Sequence, residues 1–254
     1  KIHNPWEAAA AGEAKPYQTV GVNDGLPVFY QQLKEKLTFS LSWTAGNYPD
    51  FGLWRQTARK KVLEKLPAPD PTPFEARVIA EADRGSYLAR KVVFNLTADC
   101  RVLGIMLVPK GRGPFPSVLL LHDHGAKFDI GKEKVIAPWE DAPQLPAAQK
   151  WAGLYFSGRF IGDELAARGY LVFAIDALGW GERGGLDYET QQALASNLQA
   201  LGLSLAGWIA HEDVRTAEFL ASLSEVDRGR IAAVGFSMGA QRAWQIAALS
   251  DLIT

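Results

Sequence analysis

The chain has 254 residues, about half of them apolar, with 27 basic and 28 acidic side chains and a formal net charge of −1. That balance argues against nucleic acid or an anionic membrane as the main partner, and a single cysteine, Cys100, excludes a disulfide framework and cysteine-rich zinc sites. No apolar run approaches the roughly 20 residues of a membrane span, and the length fits one α/β domain with an appendage.

Residues 1–85 read as a helical N-terminal extension. The Ala-rich opening, KIHNPWEAAAAGEAKPYQ, carries few periodic signals. LPVFYQQLKEKLTFS places Phe29, Leu33 and Leu37 at helical spacing. FGLWRQTARKKVLEKL predicts a second helix, with Leu53, Thr57 and Leu63 near one face. The prolines of PAPDPTP (67–73) then break the chain.

Residues 86–254 read as the main domain. YLARKVVFNL and RVLGIMLVPKG are strands joined at TADC as a hairpin. Val118–Leu121 is a continuous apolar run, the pattern of a strand buried on both faces. IGDELAARGY is a helix stopped at Gly169, and LVFAIDALG is another buried strand. LSLAGWIAHEDVRTAEFLASL predicts a long amphipathic helix with Trp208, Ile209, Phe219, Leu220 and Leu223 toward the core. IAAVGFSMGA is a strand and turn, and AQRAWQIAAL a helix. The alternation predicts an α/β fold, a mostly parallel sheet with helices on both faces.

Gly235-Phe236-Ser237-Met238-Gly239 satisfies G-x-S-x-G in the strand–turn–helix setting that this motif needs. The turn is so tight that side chains two residues either side of the serine would strike the neighbouring strand and helix, hence the two glycines. Ser237 Oγ is then held out at the carboxyl edge of the sheet, at a helix start that favours developing negative charge.

His122-Asp123-His124-Gly125-Ala126 ends the first deeply buried strand, and ligands of open α/β sheets bind at that same edge. A turn at Gly125 can leave backbone N–H groups facing the cleft, and the amides of Ala126 and Met238 could together bind an oxyanion. An H-x-H pair can also hold zinc. A metal needs more ligands, though, and the remaining histidines, His3 and His211, are not placed suggestively. Both rings are read as hydrogen-bonding supports of the loop, and no metal site is assigned.

With HDHGA after one strand, DALGWGERGG after the next and GFSMGA after the third, the chain resembles the α/β-hydrolase superfamily. Within it the chain resembles the dienelactone hydrolase and acetyl xylan esterase-like branch, as in bacterial esterase-like proteins. HEDVRTAEFLASLSEVDRGRIAAVGFSMGA looks like the helix and nucleophile strand of that branch. The likeness covers about residues 85–250. It implies Ser237 as nucleophile, Ala126 and Met238 as oxyanion positions, and a triad acid later than the serine. Asp176 is accordingly read as a loop-organising carboxylate, paired with Arg183, and His211 as a helix residue outside the chemistry.

After Ser237 the sequence holds one carboxylate, Asp251, and no histidine. In this fold the order is Ser, then Asp or Glu, then His, and the helix carries Asp251 roughly 15–20 Å away. The expectation is therefore a hydrolase core without its C-terminal strands, completed by a further segment or another chain. A lineage that lost its triad, or His122 or His124 as an unusual base, are the alternatives.

The expected function is a serine carboxylesterase removing small, acetyl-like acyl groups, with a small-molecule or carbohydrate ester as partner and no cofactor. A hydrolase-like binding module, or a metal-dependent hydrolase using His122 and His124, are the competing functions. A periplasmic or secreted location is expected slightly ahead of a cytoplasmic one.

Overall fold

A computed structural model describes residues 21–23 and 25–254; the Ala-rich opening and His3 lie outside the described residues. Two compact units divide the chain, Lys1–Arg55 and Gln56–Thr254.

The first unit holds a two-stranded ladder, β1 (Val22–Asn23) with β2 (Leu26–Pro27), and the short helix α1 (Tyr30–Glu35). The helical spacing of Phe29, Leu33 and Leu37 marks no buried face: all three are exposed, and α1 has no buried residue. A helix of this length draws little stability from propensity alone and relies on packing. Trp43, Phe51 and Trp54 instead form an aromatic group with ring centroids 5.1–5.8 Å apart. Helix α2 (Phe51–Leu63) spans the predicted second helix, with Leu53 and Leu63 both exposed.

The second unit is built on six strands: β3 (Arg77–Asp83), β4 (Tyr87–Thr97), β5 (Cys100–Pro109), β6 (Phe115–Leu121), β7 (Leu171–Ile175) and β8 (Val226–Gly235). Their order is β3-β4-β5-β7-β6-β8. β6 pairs in parallel with β7 and β8, whereas β3–β4, β4–β5 and β5–β7 are antiparallel. The sheet is thus mixed, not mostly parallel.

The sheet also starts earlier than residue 86, because β3 lies inside the stretch read as helical extension. Among the described residues β3 pairs on one side only, and Val78 and Ile79 are exposed. Its alternation, Val78-Ala80-Ala82 against Arg77, Glu81 and Asp83, is short, interrupted by Ile79 and carried mostly by small alanines that are only partly buried, so the strand signal is weak.

Helices flank both faces, and strand alternation decides which residue faces which layer. Leu119 and Leu121 of β6 join Phe94, Phe173, Phe219, Leu220 and Ile246 in one core, under α6 (Leu205–Ser222) and α7 (Met238–Leu249). Phe94 and Phe219 stack there at 4.2 Å. Val118 and Leu120 face the other way, into a layer with Ile105, Val135, Ile136 and Ala166 of α4 (Ile161–Ala166). Helices α3 (Leu145–Tyr155) and α5 (Tyr188–Ala200) complete the set. Because β6, β7 and β8 run parallel, the loops after them, which carry HDHGA, DALGWGE and the serine turn, emerge at one edge.

Among the described residues β8 is the outer strand, with Val234 and, on α7, Trp244 exposed. Among them, too, no single helix is long and apolar enough to cross a membrane.

Candidate active site

The serine turn has the geometry that its glycines demand. Ser237 sits at φ 53°, ψ −120°, a region that non-glycine residues rarely occupy, between the end of β8 and the first residue of α7. A Cβ on Gly235 would lie 2.2 Å from the Gly239 carbonyl, and one on Gly239 would lie 2.0 Å from Leu121 O. The first glycine therefore lets β8 meet its own helix, and the second lets that helix meet the end of β6. The Ser237 side is exposed. Met238 opens α7, so its N–H has no acceptor within the helix.

Arg242 anchors the turn from below. It is buried and makes two bonds to Asp213 of α6, at 2.7 and 2.8 Å, with a third to His122 O at 3.3 Å. One guanidinium thus ties α6, α7 and the end of β6 together. Burial pushes the Asp213 carboxyl up, while Arg242 opposes that shift. The buried residues of α7 are Gly239, Arg242, Ile246 and Leu249. Arg242 lies on an otherwise apolar stripe, a signal visible in the sequence; that its partner is Asp213, 29 residues earlier, is not.

The two histidines of HDHGA are both committed. His122 is fully buried; its Nε2 accepts from the Ala177 amide at 3.0 Å, so its Nδ1 donates to Asp123 O at 2.9 Å. Burial, with Arg242 and Lys134 nearby, holds its pKa well below the usual imidazole range. His124 Nδ1 accepts from the Ala126 amide at 3.0 Å, and Nε2 then donates to Gln191 Oε1 at 3.0 Å. With every ring nitrogen engaged, neither ring can act as the base or hold a metal without breaking these bonds. Among the described residues no group of three His, Cys, Asp or Glu side chains is arranged to hold a metal ion.

The Ala126 amide is the difference from the expected oxyanion hole. Ala126 has φ 50° and Gly125 φ 53°, and the Ala126 N–H turns back onto His124 Nδ1 and not toward a ligand.

Asp176 organises loops, though not with the expected partner. Its carboxylate takes Lys132 Nζ and the Lys132 amide, both at 2.7 Å, and the Glu182 amide at 3.1 Å. Arg183 reaches only the Asp176 carbonyl, at 3.2 Å, and pairs instead with Glu212 at 2.6 and 2.7 Å. Lys132 and Glu133 are buried beside Asp176, and the two carboxylates hold the Lys132 ammonium above its usual range despite burial. His211 is half-buried in α6, and Asp251 pairs with Arg59 at 2.7 Å.

Beside the serine turn lies a cavity of about 240 Å³ lined by Trp180, Gln191, Ile209, Met238, Gln241 and Gln245, among others. On the other side Phe236 meets Tyr155 and Phe156 at 5.8 and 5.5 Å.

Residues 136–254 match the family model described as "Dienelactone hydrolase family". The matched stretch includes Ser237 and stops short of HDHGA. Over 201 residues the chain is 29% identical to "Putative hydrolase YtaP" of Bacillus subtilis (strain 168), covering 78% of this chain and 62% of that protein. Its fold is similar to a crystal structure titled a "putative acetyl xylan esterase" from Bacteroides fragilis NCTC 9343, with TM-score 0.65 and 20% identity, over 80% of this chain and 51% of the other. It is also similar to the structure of Methylesterase BT1017, with TM-score 0.58 and 19% identity, over 84% and 43% of the two chains. At these identities the likeness is one of fold. The chain spans little more than three-fifths of the curated relative and about half of the first of these structures.

Proposed function

We propose that this chain is part of a serine ester hydrolase that works through an acyl-enzyme on Ser237. The observation that carries the reading is the exposed, positive-φ serine at a strand–helix apex, between two glycines that have no room for a Cβ. A polypeptide holds a serine in that conformation, which costs about 1–3 kcal/mol, only where its surroundings enforce it. The family match over residues 136–254 supports the same reading.

In this mechanism Ser237 Oγ attacks the ester carbonyl and its proton passes to a general base. The Met238 N–H, at the positive end of α7, stabilises the oxyanion together with an amide of the 122–126 loop. The alcohol leaves with a proton, and water releases the acyl group from Ser237. The base we propose is a histidine from outside residues 21–254: His122 and His124 have both nitrogens engaged, and His211 sits within α6 beside Trp208, in the field of Glu212, Asp70 and Glu218. Its acid partner also comes from outside residues 21–254.

The substrate class we propose is a small acyl ester, acetyl-like, on a carbohydrate. The names of the structural neighbours motivate it, and Tyr155, Phe156 and Phe236 beside the serine suit the face of a sugar ring. Labelling of the full-length protein by a fluorophosphonate tests the nucleophile, with Ser237→Ala as control. Release of acetate from acetylated xylo-oligosaccharides tests the substrate. Absence of labelling, or labelling that survives Ser237→Ala, rejects the hydrolase. Carbohydrate binding without turnover would support the binding-module reading instead.

A further inference from the structure

We propose that Lys134 is a positioning residue that orients the peptide groups of the HDHGA loop toward the oxyanion. This inference rests on the ester-hydrolase reading for its chemistry, but its geometry stands on its own.

Lys134 ends a single turn, Lys132–Lys134, and its side chain is wholly buried. Its ammonium donates to two successive main-chain carbonyls, Asp123 O at 3.0 Å and His124 O at 2.9 Å. It also lies 3.6 Å from Asp123 Oδ2 and 5.0 Å from the centre of the Trp151 ring. The Asp123 carboxylate accepts from Trp151 Nε1 through Oδ1, at 3.1 Å, while the buried Oδ2 has no hydrogen-bond partner among the described residues. Lys134 is thus the cation that faces this carboxylate, and the loop's carbonyls fill its other donor directions.

A trans peptide explains the consequence. Its C=O and N–H lie in one plane and point in opposite directions. Fixing the carbonyls of Asp123 and His124 on one buried cation turns the N–H groups of His124 and Gly125 to the opposite side. The Trp180 indole N–H adds a second hold on His124 O at 3.1 Å, and Trp180 shares the cavity beside Met238. Gly125 has no side-chain freedom here: a Cβ would lie 2.2 Å from the Trp151 ring and 2.6 Å from Asp123 Oδ2. The Ala126 amide is taken by His124 Nδ1. The clamp therefore assigns the loop's oxyanion donors to the two amides just before it, and the buried lysine does for the loop what the start of α7 does for Met238.

The test uses the full-length protein. Lys134→Met alone would leave the Asp123 carboxylate buried without a cation, so the variant is Lys134→Met with Asp123→Asn, compared with Asp123→Asn alone. The clamp predicts a kcat lower by about 100-fold, a KM changed by less than about threefold, and weaker binding of a boronic acid that mimics the tetrahedral oxyanion. It also predicts that a crystal structure of the double variant shows the Asp123–His124 or His124–Gly125 peptide rotated. Equal kcat and boronate affinity in a folded double variant would overturn the proposal, as would unrotated peptides. If the double variant does not fold, Lys134→Arg in the full-length protein replaces it. A guanidinium that still spans both carbonyls should keep both peptides in place, and rotated peptides beside an intact clamp would again overturn it. A parent protein that resists fluorophosphonate would sink the hydrolase reading, while the peptide orientations would still decide the role of Lys134.

Discussion

Replacing Gly239 by alanine sets two effects of known sign against each other. An alanine in a helix is favoured over glycine by about 1 kcal/mol, and Gly239 is the second residue of α7. Its Cβ, however, would stand 2.0 Å from Leu121 O, 2.8 Å from Leu121 C and 3.0 Å from His122 O. Ordinary contact begins near 3.4 Å, so the helix start and the end of β6 would have to part by roughly 1 Å or more. The obstacle is main chain, which cannot rotate away, so the overpacking cost falls near the upper end of about 1–3 kcal/mol. The net expectation is a loss of about 2 kcal/mol. Gly153 in α3 is the matched control: it is exposed, and a Cβ there meets nothing within 4 Å. Gly153→Ala should therefore stabilise by about 1 kcal/mol. In a domain of this size each kcal/mol moves Tm by roughly 2–4 °C, so calorimetry of the full-length protein should shift Gly153→Ala up and Gly239→Ala down. Displacing the elbow by an ångström should also lower ester hydrolysis by about 100-fold. A Gly239→Ala protein with a raised Tm would refute the close-packed elbow and the reason given for its second glycine.

Ser237→Gly should abolish fluorophosphonate labelling and raise stability by about 1 kcal/mol, since it relieves the positive-φ strain and loses part of the gain to unfolded-chain entropy; Ser237→Ala keeps the strain and should show no such rise. Arg242→Met leaves Asp213 buried without its cation and should cost about 3–5 kcal/mol in denaturant unfolding at neutral pH, with Asp213→Asn recovering part of it. In that single variant the folded-state pKa of Asp213 rises further above its unfolded value, so the deficit should shrink on acidification through the raised pKa. Burial lowers Lys134 to about 8 from its usual 10.5. Between those pH values the unfolded chain binds more protons, so stability should climb with pH relative to Lys134→Met/Asp123→Asn, by on the order of 3 kcal/mol. A pH series of urea midpoints showing the opposite slope would count against the buried ammonium.

The elbow and the central strands could be read directly because their causes are local. Gly235, Ser237 and Gly239 sit within five positions, and a strand buried on both faces declares itself as the run Val118–Leu121. The ends of the sheet were less legible: β3 lies on an edge with only its alanines partly buried, so its alternation is a weak signal, and the antiparallel pairing of β5 with β7 is a long-range contact that no local pattern specifies. Phe29, Leu33 and Leu37 stand at helical spacing, yet the structure leaves all three exposed. HDHGA announced a loop at the carboxyl edge of the sheet, but which of its amides stay free depends on the Ala126 N–H folding back onto His124.

The sequence by itself determined the serine turn and the α/β layering, because short-range sterics and alternation of apolar residues dictate them. Only the tertiary structure decided the charge pairing: Asp176 with Lys132, Glu212 with Arg183, Asp213 with Arg242, and Lys134 beneath the carbonyls of Asp123 and His124. A buried charge must find a partner or a set of dipoles in three dimensions. Several chemically equivalent partners exist along the chain, and the packing of helices on the sheet decides which of them comes within reach.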